Sequence, residues 1–106
     1  MANNYKNAKL DLTATSVTTL YTCPVAKTAV FKSILVSEDS GNADTITVTV
    51  TNGSSVFSLF KVKAVSSNTT VELLTAPLII EESEILKVTA ATANRLHVVA
   101  SFLEIG

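Results

Sequence analysis

Hydrophobic and polar positions alternate along most of this chain with a period of two. The clearest case is DTITVTVTNG, Asp44 to Gly53, where Thr45, Thr47, Thr49 and Thr51 interleave with Ile46, Val48 and Val50. Successive side chains of a strand project to opposite faces, so the segment predicts one aliphatic row for a core and one outward row of hydroxyl and methyl groups. A solvated row would normally include some Lys or Glu, and this one has neither. Water, ice, a glycan and another subunit are the candidates for what it meets.

The same period recurs elsewhere, and no stretch holds the i, i+3, i+4, i+7 spacing of an amphipathic helix. Strands are expected over Ala8–Ala14, Val17–Thr22, Thr28–Ser37, Asp44–Thr51, Ser55–Lys63, Thr69–Leu74, Leu78–Glu81, Ile85–Ala90 and Arg95–Ile105. Eight or nine short strands separated by turns predict an all-β chain. The architecture expected is one two-layer antiparallel β-sandwich, jelly-roll or immunoglobulin-like, because one open sheet of that size would leave a face wet. The whole chain, residues 1–106, is expected to form a single domain, with residues 1–8 as a polar N-terminal arm. Asn52-Gly53 is a strong hairpin signal, and Pro24 and Pro77 fall at strand junctions, where the missing N–H does no harm.

If Asn52 and Gly53 form a two-residue loop, Thr51 pairs with Ser54, Thr49 with Val56, Thr47 with Ser58 and Thr45 with Phe60. A one-residue slip exchanges the faces and puts Phe57 and Leu59 beside the threonines instead. Either register places an aromatic on the threonine face. Thr28–Ser37 is also apolar on both sides, with Val30, Ile34 and Val36 on one and Ala29, Phe31 and Leu35 on the other. Strands apolar on both faces are doubly buried or cover a partner. With no helices to supply the cover, Thr45, Thr47, Thr49, Val56 and Phe60 are expected at a subunit contact.

Composition sharpens this. Charged residues are 16% of the chain against 47% hydrophobic, so little of the surface is protected by charge. The net charge of -1 gives no electrostatic footprint for nucleic acid or an anionic membrane. The opening MANNYKNAKLDL lacks the apolar core of a secretory signal, and no apolar run predicts a membrane span. Tyr5 is the one aromatic in a polar arm whose composition predicts fraying, so a neighbouring subunit is expected to hold it.

Candidate chemistry is sparse. His97 is the one histidine and has no nucleophile signature near it, so a strand histidine without catalytic work is expected. Cys23 beside Pro24 reads as a small half-buried hydrophobe and not as a nucleophile. Asp39, Asn42 and Asp44 carry oxygens but lack the spacing of a calcium loop. Glu81, Glu82 and Glu84 read as a solvated turn. Gly41, Gly53 and Gly106 build no phosphate cradle. No enzyme, cofactor or metal site is expected.

Leu20-Tyr-Thr-Cys-Pro24, then Thr28-Ala-Val-Phe-Lys-Ser-Ile-Leu-Val36, a polar loop and the Thr/Val strand resemble small virion structural proteins of tailed bacteriophages. The closing segment Ile85–Ile105 looks like the matching end of that pattern. The resemblance departs at Val25-Ala-Lys27 and Glu82-Ser-Glu84, where such proteins often carry glycine turns. It implies a β-sandwich on a capsid or tail, with no catalytic residues to carry over. The function expected is therefore a non-enzymatic capsid decoration or cement protein. It would pack on copies of itself and on other virion proteins, with no nucleic-acid or membrane partner. A tail, baseplate or fibre component and a host-glycan adhesion module are the alternatives.

Overall fold

Branched aliphatic and aromatic side chains at alternate positions fit a pleated surface that is buried on one side, and the chain uses them to build nine strands. A computed structural model describes residues 3–106. The strands are β1 (Asn3–Asp11), β2 (Thr18–Thr22), β3 (Thr28–Glu38), β4 (Asp44–Thr51), β5 (Val56–Val65), β6 (Thr69–Glu72), β7 (Leu78–Ile80), β8 (Ile85–Ala90) and β9 (Leu96–Ile105). They form two antiparallel sheets. Sheet A has the order β1, β9, β3, β6, with β7 also paired to β3, and sheet B the order β2, β8, β4, β5. The two sheets pack as the expected all-β sandwich.

Phe31, Ile34, Val36, Val98 and Phe102 from sheet A meet Ile46, Val48, Leu86 and Val88 from sheet B in a core sealed from solvent. Three rings occupy one end of it. Phe31 and Phe102 stack at 4.6 Å between centroids, and Tyr21 meets Phe31 edgewise at 5.3 Å and Phe102 at a tilt at 4.6 Å. Such offset and tilted pairs add about 0.5–1.5 kcal/mol each beyond their buried area.

A bulge breaks β3 between Phe31 and Ser33. One extra residue reverses the phase of every side chain beyond it. Ala29 and Phe31 therefore point inward together with Ile34 and Val36, while Val30 and Leu35 point out. This corrects the two sides read from strict alternation, which grouped Val30 with Ile34 and Phe31 with Leu35.

The hairpin register also differs from expectation. The loop spans Asn52 to Ser55, with the Asn52 side chain accepting from the backbone N–H of Ser54 and Ser55 at 3.1 and 2.9 Å. Thr51 pairs with Val56, Val50 with Phe57 and Thr49 with Ser58. Two irregularities then put Val48 opposite Phe60 and Ile46 opposite Lys63. Directly opposed residues share a face, so both aromatics stand on the aliphatic side. Neither Phe57 nor Phe60 reaches the threonine face. At the second irregularity Val62 has φ of 53°, a left-handed conformation that is strained for a β-branched residue.

Residues 3–8, expected as an arm held by a neighbour, are instead part of β1 and pair along β9 from Asn3 opposite Ile105 to Asp11 opposite His97. Met1 and Ala2 of that arm lie outside the described residues. Fraying was expected from the polar residues around Tyr5, and seven of the nine strand residues are exposed. Backbone pairing and one buried carboxylate hold it.

Candidate functional site

That carboxylate belongs to Glu104, which is 3% exposed. It accepts from Lys6 Nζ of β1 at 2.8 Å and from the Tyr21 hydroxyl of β2 at 2.6 Å. The bonds from Lys6 and then Tyr21 hold its pKa below the usual carboxylate value against the opposing effect of burial. Burial, followed by the bond to Glu104, pushes the Tyr21 hydroxyl well above its ordinary range. The network ties both edge strands on this side of the sandwich to β9, and it fixes where Tyr5 stands.

Tyr5 projects from the opposite face of β1 and is 82% exposed. It pairs with Leu103 on β9, Leu103 pairs with Val30 on β3, and Val30 pairs with Ile79 on β7. Cross-strand partners share a face, so these four side chains form one apolar row across the outside of sheet A. Ile79 at its far end is 50% exposed. Four residues along the strands a second row crosses the sheet through Lys9, Val99, Leu35 and Glu72. Val99 and Leu35 are 39% and 37% exposed. Between the rows lie Asn7, Ser101 and Ser33, with the bulge residue Lys32 alongside Tyr5, Asn7 and Ser101 in a shallow depression. A contiguous exposed apolar surface marks an interaction site more often than scattered hydrophobes do.

Of the residues expected at a contact, Tyr5 alone belongs to this face. Thr45, Thr47 and Thr49 line the outside of sheet B and are half-buried. Thr47 stands opposite Thr89 and Thr49 opposite Lys87, whose other neighbour is Thr19. Two of the hydroxyls in the row work within the chain. Thr47 Oγ1 accepts from the Val62 N–H at 3.1 Å, supporting the strained bulge. Thr51 Oγ1 donates to the Ser55 carbonyl at 2.7 Å and accepts from the Gly53 N–H at 3.1 Å, closing the hairpin loop. Val56 is exposed opposite Thr51 at the end of the face. Phe60 packs against the core. Leu103, Val30, Ile79, Leu35 and Val99 were missed as a set. Two-sided apolarity in Thr28–Ser37 was the available signal, but the bulge that sorts its residues has no mark in the sequence.

The titratable groups are occupied structurally. Glu38, 1% exposed, accepts from the backbone N–H of Ser40, Gly41 and Asn68 at 2.9, 3.1 and 3.1 Å and from the Ser40 hydroxyl. Burial alone would raise its pKa, but these donors outweigh it and bring it down to about 2. Asp44 accepts from the Thr92 N–H at 3.1 Å, and Asn42 donates to the Ser40 carbonyl, so with Asp39 they do not converge on one point. His97 places Nε2 at 3.2 Å from Asp11 and Nδ1 at 3.6 Å from Asp39 on the outside of sheet A. Glu82 and Glu84 accept backbone N–H groups from Ala26 and Glu81 at 2.7 and 2.8 Å. Cys23 is buried, and burial raises its thiol pKa. Among the described residues no group of three His, Cys, Asp or Glu is placed to hold a metal ion.

The arrangement defines an all-β sandwich with one apolar outer face. No protein-family model matches the chain, and no curated protein matches it. Two solved structures described as a pentameric capsid protein from metagenomic phage sequences are similar to it in outline. Each is 18% identical with a TM-score of 0.48, over 94% of this chain and 60% or 59% of theirs. The chain thus spans about three fifths of the length of those structures.

Proposed function

We propose that this chain is a non-enzymatic structural protein of a phage virion, a decoration or cement protein that works by packing on copies of itself and on the capsid shell. The observation that carries the proposal is the row of Tyr5, Leu103, Val30 and Ile79 on the outside of sheet A. A two-layer sandwich keeps one face of each sheet outward, and apolar rows there are stabilised by being covered. The strand pattern from Leu20 to Ile105, with its resemblance to small virion proteins of tailed phages, supplies the setting. Many weak contacts repeated by the symmetry of a shell add up through avidity.

Tyr5 is the leading contact residue in this reading. Thr45, Thr49 and Val56 on sheet B offer a second surface, on which Thr47 is shared with the bulge it supports. Phe60 packs against the core on the other side of the sheet and is no contact residue in this reading. The test is co-sedimentation with empty shells of the phage that encodes the protein, together with their heat resistance. Saturable binding and a raised disruption temperature are expected, both lost in Leu103→Glu. Absence of binding and of protection by the wild-type protein overturns the proposal.

A further inference from the structure

We infer that two copies of this chain stack through the outer faces of sheet A, about a two-fold axis that runs parallel to the strands between β9 and β3. This rests on the structural reading above and names the partner and its orientation.

The order of residues within each row sets the axis. A two-fold axis in the plane of the interface and parallel to the strands keeps each row at its own level and reverses it from edge to edge. Tyr5 of one copy then lies over Ile79 of the other, and Leu103 over Val30. At the second level Val99 lies over Leu35, and Lys9 at one edge meets Glu72 at the opposite edge. Both apolar rows are self-complementary under this one operation, and the charges at their ends are opposite in sign. An axis across the strands does the reverse. It lays β3 on β3, brings Lys32 onto its own copy and sets Ile79 over Glu72. With the strand-parallel axis, Lys32 lies over the Ser101 side of the partner.

The size is adequate. Four strands at about 4.8 Å spacing, overlapping for about nine residues at roughly 3.3 Å each, cover on the order of 600 Å² per copy. The total of about 1,200 Å² lies at the lower end of specific interfaces. Two apolar rows cross β9 and β3 on either side of a polar band of Ser101, Ser33 and Lys32, and Lys9 and Glu72 stand at the rim. Dimerisation that depends on protein concentration is therefore expected.

Sedimentation velocity across a concentration series tests the stoichiometry. The wild-type mass should rise from 11.2 kDa to twice that value. Leu103→Glu should remain at the lower mass with an unchanged circular dichroism spectrum, and Thr49→Glu on the other sheet should dimerise as the wild type does. Packed sheets lie about 10 Å apart, too far for a disulfide, so orientation is read with a short bismaleimide linker. Tyr5→Cys mixed with Ile79→Cys should cross-link, whereas either variant alone should not, and wild type with its buried Cys23 should stay unlinked. A mass fixed at one chain, a closed ring of higher order, loss of association in Thr49→Glu alone, or Tyr5→Cys linking to itself as readily overturns the inference. A monomer that still binds empty shells sinks this inference and leaves the structural reading standing. A dimer that ignores the shells does the opposite.

Discussion

Replacing Glu104 by Gln keeps the size of the side chain and removes its charge. Two donors converge on this group, Lys6 Nζ at 2.8 Å and the Tyr21 hydroxyl at 2.6 Å. An amide has one carbonyl to offer, and its NH₂ faces the second donor. The Tyr21 bond to a sealed carboxylate is worth about 1.5–3 kcal/mol. The Lys6 bond adds at most about 1 kcal/mol, because its side chain is 47% exposed and the pair is screened. Glu104→Gln should therefore lose about 2–3 kcal/mol, which for a chain of about 100 residues lowers Tm by roughly 10–20 °C.

Urea unfolding followed by fluorescence measures the loss at neutral pH, and repeating it in acid tests the cause. The folded pKa of Glu104 lies below its ordinary 4.5. Its contribution is thus complete above about 4.5 and disappears as pH falls through the depressed folded value. The gap between wild type and variant should narrow over that window. A gap under about 0.5 kcal/mol at neutral pH, within the ordinary scatter of surface substitutions, or one that persists in strong acid, would refute the reasoning. Lys6→Met should instead cost under about 1 kcal/mol and mainly speed hydrogen exchange in β1.

Phe31→Ala should destabilise by about 3–5 kcal/mol, since it opens a cavity beside Phe102 and Tyr21 in a sealed core, and calorimetry will show it. Val62→Asn should raise the urea midpoint by the equivalent of about 1 kcal/mol, because Asn tolerates the left-handed conformation and Val62 is 60% exposed. Thr47→Val should lose about 1 kcal/mol by stripping the Val62 N–H of its acceptor, whereas Thr49→Val should change little in the same measurement. The protein should lose stability as pH falls from about 4.5 towards 2, because Glu38 and Glu72 both have folded pKa values below the ordinary one. Unfolding followed by circular dichroism in a pH series checks this.

The strand inventory was legible because alternation survives in nearly every segment, and Asp44–Ala90 fell close to the boundaries read from pattern. The faces were legible only where alternation is unbroken. In β4, Ile46 and Val48 went inward and the threonines outward as expected. In β3 one extra residue at Lys32 inverted the pattern, and in β5 the irregularity between Ser58 and Phe60 carried Phe60 to the core side. The bulge at Lys32 is set by pairing with β9, far along the chain, and the one at Val62 by pairing with β4 across the hairpin, and nothing local at either residue announces it. β1 was illegible for a related reason. Its stability comes from β9 and from Glu104, nearly one hundred residues away in sequence.

The borders of the two sheets have a consequence for growth. Sheet B ends on β5, whose backbone is broken twice, turned left-handed at Val62 and flanked by Lys61 and Lys63. Its other border is the five-residue β2, itself irregular. Sheet A ends on one side in two fragments of four and three residues and on the other in β1, with Lys6 and Lys9. A row of unpaired amides that could template another chain is nowhere both long and uncharged among the described residues. Edge-to-edge pairing at high local concentration is thereby disfavoured. Association through a face under a two-fold stops at the second copy, whereas recruitment along a border would have no natural end.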